Sequence, residues 1–168
     1  MQKHYLVEQA EQIIEPYLAD LKAVVNIDSG TYNKVGVDDV GAYFQERFHT
    51  FGFSTYFDIQ QEYGNHLVAI HEGNAPDGAH ILLVGHMDTV FPDGEVGLRP
   101  FSISEQNGMQ IAKGPGVLDM KSGVLIGMYG VQQLITAQEA DYKSVTFILN
   151  SDEEIGSPVS KALIQELA

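Results

Sequence analysis

Three separate stretches of this sequence set acids or an imidazole beside glycine. They are Gly85-His86-Met87-Asp88-Thr89-Val90, Gly114-Pro115-Gly116-Val117-Leu118-Asp119-Met120-Lys121-Ser122-Gly123 and Asn150-Ser151-Asp152-Glu153-Glu154-Ile155-Gly156-Ser157. His86 and Asp88 lie two residues apart, so in extended backbone their side chains leave on the same side. An imidazole with a nearby carboxylate suits a metal ligand and the group that orients it. Adjacent carboxylates at Glu153 and Glu154 are costly at a buried strand end unless a cation or a proton neutralises them. A pair of metal ions would do so. Each stretch alone has a plainer explanation. His86 reads as a structural or surface histidine, Asp119 as a turn or cap residue, and Glu153-Glu154 as an acidic helix start. The metal-site reading rests on the three together.

The elements around them must bring these loops to one place. Ile81-Leu82-Leu83-Val84 is an apolar run of the kind found in a strand buried on both faces. Ser144 to Asn150 is a second apolar strand, and each of the two releases polar side chains at its carboxyl end. In an α/β sheet that is where ligands bind. Residues 2–27 carry apolar side chains at helical spacing, with a kink or fresh start at Pro16. A second helix, capped by Asp38 or Asp39, runs to Phe51 and stops at Gly52. Period-two patterns predict strands at 53–59 and 65–71, and 72–78 reads as a turn. Asn107-Gly108 predicts a hairpin between 101–103 and 109–111. Helices are expected over 120–137 and 157–167. The alternation argues an α/β three-layer sandwich around a mixed, mostly parallel sheet.

Composition narrows the function classes. The 168 residues suffice for one domain with a core. The formal charge of −14, from 23 acidic and 9 basic residues, argues against nucleic acid and anionic membranes as partners. With no cysteine, thiolate metal sites and cysteine nucleophiles are excluded. A metal would be held by His, Asp and Glu, which suits zinc, cobalt or manganese. The glycine-rich loop at 114–123 fits neither phosphate-binding fingerprint, and Asp119 at its centre would repel phosphate. No secretory signal or long apolar segment is evident, so a cytoplasmic location is expected.

The three stretches, in this order and with these flanking strands, resemble the N-terminal motifs of the carboxypeptidase G/aminoacylase family of two-zinc metallopeptidases. That group includes acetylornithine deacetylase and succinyl-diaminopimelate desuccinylase. His86-Met87-Asp88-Thr89-Val90 and Asp152-Glu153-Glu154-Ile155-Gly156-Ser157 are most similar to the glutamate carboxypeptidase subgroup. The resemblance implies that His86 binds one zinc, Asp119 bridges two, and Glu154 binds the second. It implies that Asp88 orients His86, that Glu153 is the general base, and that the Asp119–Met120 peptide is cis. The implied reaction is hydrolysis of the amide joining a C-terminal amino acid to an acyl or peptidyl group, in a small peptide or N-acyl amino acid.

The resemblance further implies that residues 1–168 are the N-terminal portion of the catalytic domain. A lid domain carrying dimer contacts, a C-terminal catalytic segment, another acidic ligand and a late histidine would complete it as a homodimer. The expectation for this chain by itself is little or no activity. Two other readings stand beside it: a non-catalytic truncated α/β module, and a metal-free binding domain. His4, His49, His66, His71 and His80 belong to none of the motifs and are expected to be structural or on the surface. Lys121, inside the second motif, is given no catalytic step.

Overall fold

A computed structural model describes residues 10–168. The predicted helix start at residue 2, Leu6 and His4 lie outside the described residues. Helix α1 spans Ile14–Val25. Pro16 sits in its first turn, where a missing N–H leaves no intrahelical bond unmade. The proline thus marks a fresh start. Helix α2 is Lys34–Thr50, one turn longer at its start than expected. Its cap is Asn33, whose side chain accepts the Gly36 N–H at 2.9 Å. Asp38 lies inside the helix and accepts the Asn65 N–H instead.

Strands β1 (Ser54–Asp58), β2 (His66–Glu72) and β3 (His80–His86) follow, then the short α3 (Glu95–Leu98). Strands β4 (Ser102–Gln106) and β5 (Met109–Lys113) form a separate hairpin. Asn107 and Gly108 both have positive φ, 53° and 77°, as a primed two-residue turn requires. A turn at Val117–Lys121 leads into α4 (Ser122–Thr136). Strand β6 (Ser144–Asn150), a single helical turn at Glu153–Ile155 and α5 (Lys161–Leu167) complete the chain.

The sheet has the order β1-β2-β6-β3. Its pairings correct the expectation of a mostly parallel sheet. Both β1–β2 and β2–β6 are antiparallel, and only β3–β6 is parallel. The sheet is mixed, but the parallel sense is confined to the pair that carries the site. There His86 stands opposite Asn150, so the two carboxyl ends lie side by side.

Alternate residues of β2 and β6 make the core: Leu67, Ala69, Val145, Phe147 and Leu149 pack with Val24, Phe44, Phe48, Leu125 and Met128 of α1, α2 and α4. Val68 and Ile148 point to the other face and are also buried. That face carries α5, where Leu167 adjoins Leu82 and Thr146. Three layers result.

β3 corrects a second expectation. Among the described residues it is an edge strand paired only to β6, so Ile81 and Val84 remain 39% and 46% exposed. Its end is nonetheless fixed. The Met87 N–H donates to the Asn150 carbonyl at 2.8 Å, and the Thr89 N–H to the Ser29 carbonyl at 2.8 Å. The chain leaving β3 is thereby stitched to β6 on one side and to the loop after α1 on the other.

Candidate metal centre

His86, the last residue of β3, is buried, and its ring is held from behind by Asp88. Nδ1 lies 3.0 Å from the Asp88 carbonyl and 3.3 Å from Oδ1 of the same residue. The pair does share one side, as the two-residue spacing predicts. A proton on Nδ1 satisfies both oxygens and leaves Nε2 facing the opening.

Asp88 is wholly buried. Its Oδ2 accepts the Thr31 hydroxyl at 2.7 Å and the Glu154 N–H at 3.2 Å, while Oδ1 accepts the Glu153 N–H at 3.3 Å. Burial opposes ionisation, but the hydrogen bonds from His86, Thr31 and Glu154 outweigh it and hold the carboxyl below its usual range. Asp88 therefore orients the imidazole and also fixes the backbone of the Glu153-Glu154 turn.

Three carboxylates converge on His86, two of them directly on Nε2. Asp119 Oδ1 lies at 3.1 Å and Glu153 Oε2 at 3.8 Å. Ligand atoms of His86, Glu153 and Glu154 all lie within 4.8 Å of one another. Asp119 reaches the same ring nitrogen from the opposite loop without joining that compact set. The Asp119–Met120 peptide is cis. Burial would lower the His86 pKa, yet the adjoining Asp88 and Asp119 carboxylates raise it to about 9. Glu154 is raised, first by burial and then by Asp119, Asp88 and Glu153, with His86 opposing. Several carboxylates around one imidazole is an excess of negative charge that a divalent cation with nitrogen and oxygen ligands would balance. The donor set thus fits a metal.

Two residues of the centre carried little sequence signal. Thr31 is one polar residue in the loop after α1, and only the fold brings it to Asp88. Lys121 stands two residues after Asp119, but its ammonium points away, donating to the carbonyls of Val24 and Ile27 at 2.9 and 3.0 Å. The remaining described histidines sit away from the cluster with partners of their own. His66 accepts the Ser151 N–H, His71 meets Tyr142, His80 meets Ser144, and His49 meets Thr55. Beside Glu154 a groove of about 450 Å³ runs past Thr31, Tyr32, Val90, Phe91 and Asp93.

A buried imidazole–carboxylate pair lies beneath a carboxylate collar at the parallel strand ends of an α/β sandwich. The profile of peptidase family M20/M25/M40 matches residues 82–168, and the chain belongs to that family. It is 31% identical over 150 residues to carboxypeptidase G2 of Pseudomonas sp. (strain RS-16), covering 88% of this chain and 35% of that protein. It is 31% identical over 147 residues to succinyl-diaminopimelate desuccinylase of Rickettsia prowazekii (strain Madrid E), covering 82% of this chain and 36% of the relative. The dipeptidase Dug1p of Saccharomyces cerevisiae shares the fold, with a TM-score of 0.77 at 16% identity over 96% of this chain and 37% of its own. The chain spans about a third of the length of the curated relatives it matches. No helix among the described residues is long and apolar enough to cross a membrane.

Proposed function

We propose that this chain supplies one part of the active site of a two-zinc amidohydrolase that releases a C-terminal amino acid, in the manner of a glutamate carboxypeptidase. The observation that carries the reading is the meeting of Asp119, Glu153 and Glu154 around His86, with Asp88 buried behind the ring. His86, Asp119 and Glu154 would hold the metals, with cobalt or manganese as possible substitutes for zinc. Bound metal lowers the pKa of a coordinated water and polarises the scissile carbonyl.

The chain's own residues do the rest. Asp88 keeps the Nδ1 proton on His86 and so keeps Nε2 available. Glu153, half exposed and beside that nitrogen, accepts the proton of the attacking water and delivers it to the leaving amine. The groove past Tyr32 and Phe91 receives part of a small peptide or N-acyl amino acid. The same chemistry on an N-acyl amino acid, as a deacylase, is the second reading, favoured by the likeness to the desuccinylase.

Two metals need more donors than these side chains offer. The chain by itself therefore binds zinc weakly and turns over little substrate. Zinc titration by calorimetry tests the reading, with His86→Ala and Asp119→Ala as controls. Weaker binding in both variants is expected. Equal binding by all three proteins would overturn the metal site and favour a metal-free binding domain. Rapid hydrolysis of an acyl-glutamate by the chain alone, lost in Glu153→Gln, would retain the chemistry but overturn its dependence on further residues.

A further inference from the structure

Lys121 is 1% exposed, among the most buried side chains of the molecule. A buried ammonium persists only with good acceptors. Its acceptors are the Val24 and Ile27 carbonyls at the end of α1. Val24 lies in the last turn of α1, at the negative end of the helix dipole, and its carbonyl also accepts the Ile27 N–H at 3.3 Å, while Ile27 follows the helix. The backbone of Lys121 also matters. Its N–H donates to the Gly116 carbonyl at 3.1 Å and closes the loop in which Asp119 sits. Gly116 makes that closure possible: its φ is +67°, and a Cβ there would lie 2.6 Å from Thr89 Cγ2. Between the closing residues, Leu118 is 85% exposed and the Asp119 side chain 77% exposed. Side-chain packing therefore does little to hold Asp119 itself. Its loop is held by Met120, which packs near Gly85 and Val124, and by Lys121.

The segment that Lys121 grips has a second attachment. Shortly after Ile27 comes Thr31, whose hydroxyl holds Asp88 and through it His86. The stretch 24–31 thus receives the Asp119 loop at one end and supports the His86–Asp88 pair at the other.

We propose that Lys121 is a positioning residue: clamped on Val24 and Ile27, it ties the Asp119 loop to the segment that supports Asp88, and so sets Asp119 against His86. This rests on the metal-site reading above. It predicts that Lys121 acts on metal binding through Asp119 and by no other route.

The test is a double-mutant cycle on the 168-residue chain, with zinc as the probe. Lys121→Met keeps the length of the side chain and removes the charge and donors. Zinc affinity is expected to fall about tenfold, the loss typical of a residue that supports a ligand. In an Asp119→Ala background the same substitution should change affinity by less than about twofold, within ordinary additivity. Unchanged affinity in Lys121→Met, or an equal loss in both backgrounds, would overturn the proposal and leave Lys121 a general structural residue.

Amide hydrogen exchange supplies a readout that needs no metal. In Lys121→Met, exchange at the backbone N–H of positions 120, 121 and 122 should speed about tenfold while Ile148 of β6 holds its rate. Unchanged exchange in the loop, or equal acceleration at Ile148, would overturn the proposal. If the unmodified chain binds zinc no better than His86→Ala, the proposed function fails, and the exchange measurement still decides the role of Lys121. If Lys121→Met does not fold, Lys121→Arg enters the same cycle. The donors are then kept but displaced, and a smaller loss that vanishes with Asp119→Ala is expected. An equal loss in both backgrounds overturns the proposal.

Discussion

The two halves of the centre are held by different forces. His86 and Asp88 form the buried half, with side chains 4% and 0% exposed. Asp119 and Glu153 form the open half, at 77% and 52%. Asp88 receives the Thr31 hydroxyl, two backbone N–H groups and the His86 ring. An ionised carboxylate survives in the interior only under such pairing. Folding therefore sets the buried half completely. In the open half folding fixes the backbone, because the Glu153 and Glu154 N–H groups both end on Asp88. Their side chains carry mutual repulsion that a cation would relieve. The buried half is a support, and the open half is a set of mutually repelling charges.

The most severe way to break this contrast is Asp88→Ala. It removes the carboxylate partner of a buried imidazole and leaves a hydroxyl and two N–H groups without their acceptor. The expected cost is about 3 kcal/mol, a fall in Tm of roughly 6–12 °C. A Tm within about 2 °C of the unmodified chain would mean that the support lies elsewhere.

Next comes pH, in chelator. His86 titrates near 9 when folded against 6.5 ordinarily. Its contribution is complete below about pH 6.5 and is lost as pH rises through 9. Relative to a His86→Asn variant, which retains the opposing titration of buried Lys121 at about 8, urea midpoints should therefore decline across that window, by on the order of 1–3 kcal/mol in stability. The same proton must leave before Nε2 can bind a metal, so zinc affinity should rise over the same range. If stability and affinity moved in the same direction, the imidazolium would not be what pairs with Asp88 and Asp119. Smaller again is Thr31→Val, which removes one hydrogen bond to Asp88. A loss of about 1 kcal/mol is expected by thermal melting.

Much of the open half is visible in the sequence, because its residues come in short stretches beside glycines at strand ends. The hairpin at Asn107-Gly108 and the closing strand Ser144–Asn150 are visible for the same reason: their signals are local. The parts that escape a sequence reading are non-local. β2 pairs antiparallel with β6, a partner far along the chain, and nothing in His66–Glu72 states that direction. The apolar run of β3 suggests burial on both faces, but burial depends on which neighbours lie alongside. Thr31 meets Asp88 across 57 positions, and Lys121 meets Val24 across 97. A lone threonine in a loop and a lysine beside a motif have no periodicity that announces such contacts. What the sequence conceals in the buried half is its hold, Thr31 and the two backbone N–H groups on Asp88, while His86 and Asp88 themselves stand in the clearest motif.

The smallest expected effect on stability sharpens the contrast most. Glu153→Gln alters one half-exposed carboxylate in the open half. It removes an attraction to His86 at 3.8 Å and, with it, repulsion against Glu154, whose pKa is raised partly by that neighbour. The two changes oppose each other, and the Glu153 N–H to Asp88 is untouched. Stability should stay within about 0.5 kcal/mol of the unmodified chain. As the group assigned to carry the proton, Glu153 should nevertheless be worth about 100-fold or more in any hydrolysis measured. Melting and acyl-glutamate assays on one protein preparation read both quantities. A large stability loss would place Glu153 with the support rather than with the chemistry. A Glu153→Gln variant that hydrolyses as well as its parent would remove it from the proton path while leaving the supporting role of Asp88 intact.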